Sequence, residues 1–130
     1  MAARQRPLSP HLQVYKPQIT TILSIIHRAT GVVLAIGALL VTAWLLCIAA
    51  DTECYAWCQK ILASWFGKLA LFVFSTCLIY HLLNGIRHLL WDIGWGLDIA
   101  TVEKTGYLVV FMSVALTGLL WFLALRGGAL

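Results

Sequence analysis

Residues 70–92 read Ala70-Leu71-Phe72-Val73-Phe74-Ser75-Thr76-Cys77-Leu78-Ile79-Tyr80-His81-Leu82-Leu83-Asn84-Gly85-Ile86-Arg87-His88-Leu89-Leu90-Trp91-Asp92. The run is long and apolar enough to cross a bilayer as a helix, and it holds an imidazole near its middle. An ionisable group at that depth is costly in lipid, so it points to a functional partner. Seven residues later His88 returns to nearly the same helical face.

Two further stretches have the same character. Of the 130 residues, 62% are hydrophobic and 11% charged, whereas soluble domains are about 45–50% apolar and about 25% charged. This composition indicates a membrane protein. Candidate spans cover 22–47, 62–91 and 106–125, each meeting the roughly 20-residue requirement. The expected fold is all-α: a single domain of three transmembrane helices preceded by an extended arm over 1–21. Pro7, Pro10 and Pro17 disfavour a continuous helix in that arm. Thr20 and Thr21 offer N-cap hydroxyls to the first span. No cleavable signal or transit peptide is evident, which points to a bacterial chain or a processed one.

Arg4, Arg6, Lys16, Arg28, Arg87 and Lys104 gather on one side, and the other side holds Lys60, Lys68 and Arg126 diluted by Asp51 and Glu53. The positive-inside rule then places the N-terminus on the cytoplasmic or matrix side. Trp44, Trp65 and Trp121 fall near one interface, and Trp91, Trp95 and Tyr107 near the other. The net charge of +4 is scattered over helix ends and forms no stripe, so nucleic acid is not an expected partner. Three helices alone would leave their polar positions facing lipid; a partner subunit is expected. Cys47, Cys54, Cys58 and Cys77 form no metal signature by spacing and read as ordinary small side chains, with a Cys54–Cys58 disulfide as the alternative.

The chemistry concentrates in the first two spans. Ser24, His27 and Arg28 are spaced i, i+3, i+4 on the first. Arginine at mid-span costs about 2.5–3.5 kcal/mol on insertion scales, less near the ends. The second span brings Arg87, His88 and Asp92 to the same level, with His81 about 16 Å deeper than Asp92. A neutral imidazole there suits an axial haem ligand, with cations at one end for the propionates. Gly85, one turn from His81, permits close approach of a macrocycle or a helix. His88 lies about 10.5 Å along the helix from His81 and cannot bind the same iron. A hydroxyl beside a cation, as at Ser24 and Arg28, suits a quinone carbonyl, because the cation offsets the charge gained on reduction. Asp92 could orient Arg28. Against these stand plainer readings: His81 bonded to a neighbouring hydroxyl, Ser24 bonded to its own helix, Arg28 snorkelling. The third span, with only Ser113 and Thr117 as polar groups, reads as packing.

Arg6-Pro-Leu-Ser-Pro-His-Leu-Gln-Val-Tyr15, Ser24-Ile-Ile-His27-Arg28-Ala-Thr-Gly31 and His81-Leu-Leu-Asn-Gly85-Ile-Arg87-His88-Leu-Leu-Trp-Asp92 resemble the cytochrome b556 subunit of succinate dehydrogenase, the large membrane anchor of respiratory complex II. The resemblance implies that His81 is an axial ligand of haem b, shared with a histidine of the small anchor subunit. It implies that Ser24, Ile25 and Arg28 contact ubiquinone, with Asp92 in support. It puts His27, Arg28, Arg87 and His88 on the haem propionate side. Implied partners are the small anchor, the iron–sulfur subunit and the flavoprotein subunit, in a bacterial inner membrane. The chain has no Gly pattern for a flavin and no Cys run for iron–sulfur clusters, so it would receive electrons from succinate oxidised elsewhere and would not be catalytic alone. The alternatives are a fumarate-reducing anchor or a small ion or proton transporter, and a transport path would need polar groups along its full depth.

Overall fold

A computed structural model describes residues 16–128. Four helices are present among them: α1 (Ile19–Ala50), α2 (Thr52–Ala63), α3 (Trp65–Asp92) and α4 (Ile99–Arg126). Three are long and apolar enough to cross a membrane, namely α1, α3 and α4. The all-α, three-span expectation is borne out. The arm over 1–15 lies outside the described residues.

Helix boundaries follow capping chemistry more than the edges of the apolar runs. Asp51 ends α1 with an extended backbone and starts α2, its carboxylate accepting from the Cys54 amide at 2.7 Å. Ser64 does the same between α2 and α3, accepting from Gly67 N at 3.1 Å, and Asp98 opens α4 by accepting from Thr101 N at 3.0 Å. Helix α4 therefore begins seven residues before the expected third span. The start of α1 differs as well. Its N-cap is Gln18, with no side-chain cap, so Thr20 and Thr21 lie inside the helix and do not cap it. Pro17 disfavours a helical backbone at Lys16, and α1 begins two residues after the proline. Between α3 and α4, Gly94 and Gly96 adopt φ of 80° and 72°, values that favour glycine and let the chain reverse within six residues.

The connection expected over 48–61 is mostly helical, as α2. It packs against α1 and α3 at the Ala50 end of the bundle. Helices α1, α3 and α4 run up, down and up, and all touch one another. The buried hydrophobic core is small, with one residue from each long helix: Leu23, Tyr80 and Val109. Most large apolar side chains face outward, as expected where lipid and partner helices take the place of water.

On α4 the buried positions Gly106, Val109, Ser113 and Thr117 form one seam, consistent with a packing role. Ser113 bonds back to Val109 O at 2.7 Å. Trp121, assigned to an interfacial belt, is half-buried: it donates to Ser75 Oγ at 2.9 Å and meets Phe72 edge-on.

Candidate functional site

The inward face of α1 carries Leu23, Thr30 and Gly37, spaced seven apart. His27 falls on the same stripe and turns toward α3. There its ring stacks on His81, centroids 3.9 Å apart and planes 11° from parallel. The same ring lies 5.2 Å from His88, and His88 meets Trp91 edge-on at 5.0 Å. Thus α3 presents two imidazoles a two-turn interval apart, and α1 inserts a third between them.

Two residues hold this arrangement. Thr30 Oγ1 lies 3.1 Å from His81 Nδ1 and donates its only proton to His27 O at 2.9 Å. With that proton committed, the oxygen is placed to accept from His81 Nδ1–H, and in a neutral ring bonded this way the lone pair lies on Nε2. Gly31 makes room, since a Cβ there would stand 3.2 Å from His81 Cε1. Close approach was expected at Gly85, but a Cβ at that position would stand 4.0 Å from His27 Cε1, an ordinary contact. Tyr80 adds a cross-link, donating to Leu23 O at 2.8 Å.

Ser24, His27 and Arg28 do not stay together. At 100° per residue His27 and Arg28 diverge, so His27 faces α3 while Arg28 is exposed and Ser24 half-buried. Ile25 is 61% exposed. Ser24 Oγ has no hydrogen bond among the described residues, so the back-bonded alternative is not what the structure shows. Arg28 and Asp92 form no ion pair among the described residues; both open outward, and Asp92 does not orient Arg28.

Arg87 departs most from expectation. It is 5% exposed and points to α4, away from the imidazoles. Nε donates to Thr105 Oγ1 at 3.1 Å, Nη2 to Val102 O at 2.7 Å and Nη1 to Asn84 Oδ1 at 3.4 Å. The guanidinium also lies 4.1 Å from the Trp91 ring centroid. An apolar cavity of about 240 Å³, lined in part by Leu83, Trp95 and Met112, adjoins it. The carbonyls and hydroxyl that take up Arg87 explain why so costly a group is tolerated there.

Two buried atoms at this end have no hydrogen-bond partner among the described residues: His27 Nδ1 and Asn84 Nδ2. Asn84 is fully buried at 0% exposure. Such atoms are uncommon in finished interiors and ask for an explanation. Sequence reasoning assigned no role to Thr30, Tyr80, Asn84 or Thr105. For Thr30 and Asn84 the signal available was their position one turn from a flagged histidine; Thr105 carried none.

Comparisons with known proteins now bear on this site. Over residues 2–120 the chain matches the family described as succinate dehydrogenase/fumarate reductase transmembrane subunit. The chain belongs to this family. It is 45% identical over 117 residues to the succinate dehydrogenase cytochrome b556 subunit of Rickettsia prowazekii, covering 90% of this chain and 91% of that one. It is 40% identical over 111 residues to the subunit of the same name from Paracoccus denitrificans, covering 85% of each. A mitochondrial succinate dehydrogenase cytochrome B subunit from Schizosaccharomyces pombe is 40% identical over 119 residues, covering 87% of this chain and 66% of that one. As a member of this family the chain is a multi-pass membrane subunit, in agreement with its three apolar helices.

Proposed function

We propose that the chain anchors a succinate:quinone oxidoreductase in the membrane, holds haem b through His81 and contributes Ser24, Ile25 and Arg28 to a ubiquinone site. The observation that carries this reading is the Thr30–His81 contact. A histidine whose Nδ1–H is held by an oxygen on the neighbouring helix presents Nε2 as a metal ligand in a fixed orientation. The donor chemistry fits the group: a neutral nitrogen ligand deep in the bundle, with further donors toward the Ile19 end.

Bound haem b supplies one-electron exchange between ferric and ferrous iron. The chain's own residues position it. His81 ligates, Thr30 orients the ligand, and Gly31 gives the ring its space. His27, Arg28 and His88 form the propionate side. The neighbouring Nδ1 of His27 has no bond among the described residues and is a donor or acceptor in reserve. Arg87 is removed from that set, because it donates to Thr105 and Val102 on α4 and to Asn84 on its own helix; it braces α3 against α4. Ser24 and Arg28 offer a hydroxyl and a cation to a quinone carbonyl, with Asp92 nearby on the same end in a supporting role. Their exposure fits a site completed by other polypeptides: a small anchor that would supply a second histidine to hold the haem, and an iron–sulfur subunit that would deliver electrons a flavoprotein takes from succinate.

The test is a dithionite-reduced minus oxidised spectrum of the purified complex. A b-type α-band is expected, and His81→Ala abolishes it. A band that persists undiminished in that variant overturns the ligand assignment. Arg28→Ala is expected to lower quinone reduction at least ~10-fold with dye-linked succinate oxidation retained. Equal loss of both activities would place Arg28 in assembly and not at the quinone.

A further inference from the structure

At the Ala50 end, opposite the imidazoles, the fold gathers three cysteines that spacing did not associate. Cys47 lies in the last turn of α1, Cys54 in the first turn of α2 and Cys58 one turn further along α2. The chain reverses at Asp51, which brings the α1 cysteine back over the α2 pair. All three Sγ atoms lie within 4.8 Å of one another, and each residue is half-buried. The bonded pair is Cys47–Cys54, with Cys58 free, in place of the Cys54–Cys58 alternative raised by spacing. Spacing along the chain shows no metal signature in these cysteines, but the fold brings three of them within ligating reach of one another. Spacing rules count ligands along one segment, whereas here a helix reversal supplies the third.

The geometry points to a second, soft-metal site: in its reduced form this corner binds one monovalent copper ion through Cys47, Cys54 and Cys58. Thiolate-only donor sets select soft ions. Three sulfurs around one ion at about 2.3 Å lie roughly 4 Å apart; Cys58 Sγ already lies within 4.8 Å of the other two, and reduction frees Cys47 and Cys54 to part to that spacing. Zinc in structural sites takes four protein ligands, and no fourth His, Cys, Asp or Glu joins this group among the described residues. The carboxylate of neighbouring Asp51 is already bonded to the Cys54 amide. Cys54 also sits in the first turn of α2, where the helix N-terminus favours an anionic sulfur.

The disulfide and the metal are alternatives. A dithiol reductant delivers two electrons and two protons to Cys47–Cys54, becoming a cyclic disulfide itself and leaving three thiols. Binding of the copper ion then displaces their protons to solvent, with no change in the oxidation state of sulfur or metal. The inference is independent of the haem reading, because the two clusters lie at opposite ends of the bundle.

The test uses the intact complex, reduced with a dithiol, freed of it under anaerobic conditions and titrated with monovalent copper against a colorimetric chelator. Retention of one copper ion per chain, with a sulfur-only first shell by X-ray absorption, is expected. Cys58→Ser leaves the bonded pair untouched and so preserves the fold; it should weaken copper retention at least ~10-fold, whereas Cys77→Ser should not. Oxidised complex should retain none. The proposal is overturned if the chelator keeps all the copper, if Cys58→Ser binds as well as the parent, or if the bound ion shows nitrogen or oxygen ligands.

Discussion

Helix α3 has two polar faces, and they are finished to different degrees. Toward α4, Arg87 is surrounded: three of its nitrogens donate to Thr105, Val102 and Asn84, and the Trp91 ring covers its plane. Toward α1, three imidazoles crowd together with fewer bonds than they can make, and His27 Nδ1 has none among the described residues. A completed network locks a bundle together, because breaking any member strands the rest. An incomplete one retains bonding capacity for something else. Asn84 straddles the two, its oxygen used by Arg87 and its nitrogen without a partner among the described residues.

The strongest way to break this contrast is Arg87→Ala. It removes a buried cation and leaves Thr105, Val102 and Asn84 without a donor, so a loss of about 2–4 kcal/mol is expected. Thermal unfolding of the detergent-solubilised complex should report it, with haem content per folded complex unchanged. A specific haem loss in still-folded protein would return Arg87 to the propionate side. Thr30→Val sharpens the other face. It keeps the volume but removes the oxygen that holds His81 Nδ1, and retention of haem should weaken about 10-fold. Thr30→Ser should restore most of it, as read by haem released to apomyoglobin. The smallest effect belongs to a group outside both faces. Hydrogen bonds from Thr101 hold the Asp98 carboxyl below the ordinary aspartate range. A depressed folded value means that the capping contribution is present above the unfolded value and fades as pH falls through the folded one. Asp98→Asn should therefore flatten the acid limb of the melting-temperature profile slightly; an unchanged limb would mean that this cap contributes nothing.

What could be read beforehand follows the same contrast. His81, His88, His27 and Arg28 stood out because charge-bearing groups are rare in apolar runs, and helical periodicity put His81 and His88 on nearly one face of α3. Thr30, Tyr80 and Asn84 gave no comparable signal, since uncharged polar residues are unremarkable in membrane helices. Periodicity also tells which residues share a face, never which neighbour covers it, so the turn of Arg87 toward α4 was invisible. The partner it finds, Thr105, lies just before the stretch expected to span. Helix α2 and the cysteine corner were missed for a related reason: a chain reversal at a single aspartate joins residues that hydropathy assigns to separate regions. The cap that makes this reversal, Asp51 three residues before Cys54, was present to be read.

The Tyr80 hydroxyl on Leu23 O joins the residue beside His81 to the residue beside Ser24. A one-turn slip of α1 along α3 would be about 5.4 Å, and this bond, together with the Thr30–His81 contact, sets the registry against it. Under the proposed function, the separation between a porphyrin held at His81 and a quinone held at Ser24 would thereby be ruled in advance. Since electron tunnelling falls steeply with distance, one phenol would then help gauge how fast charge hops between two stations that share no side chain.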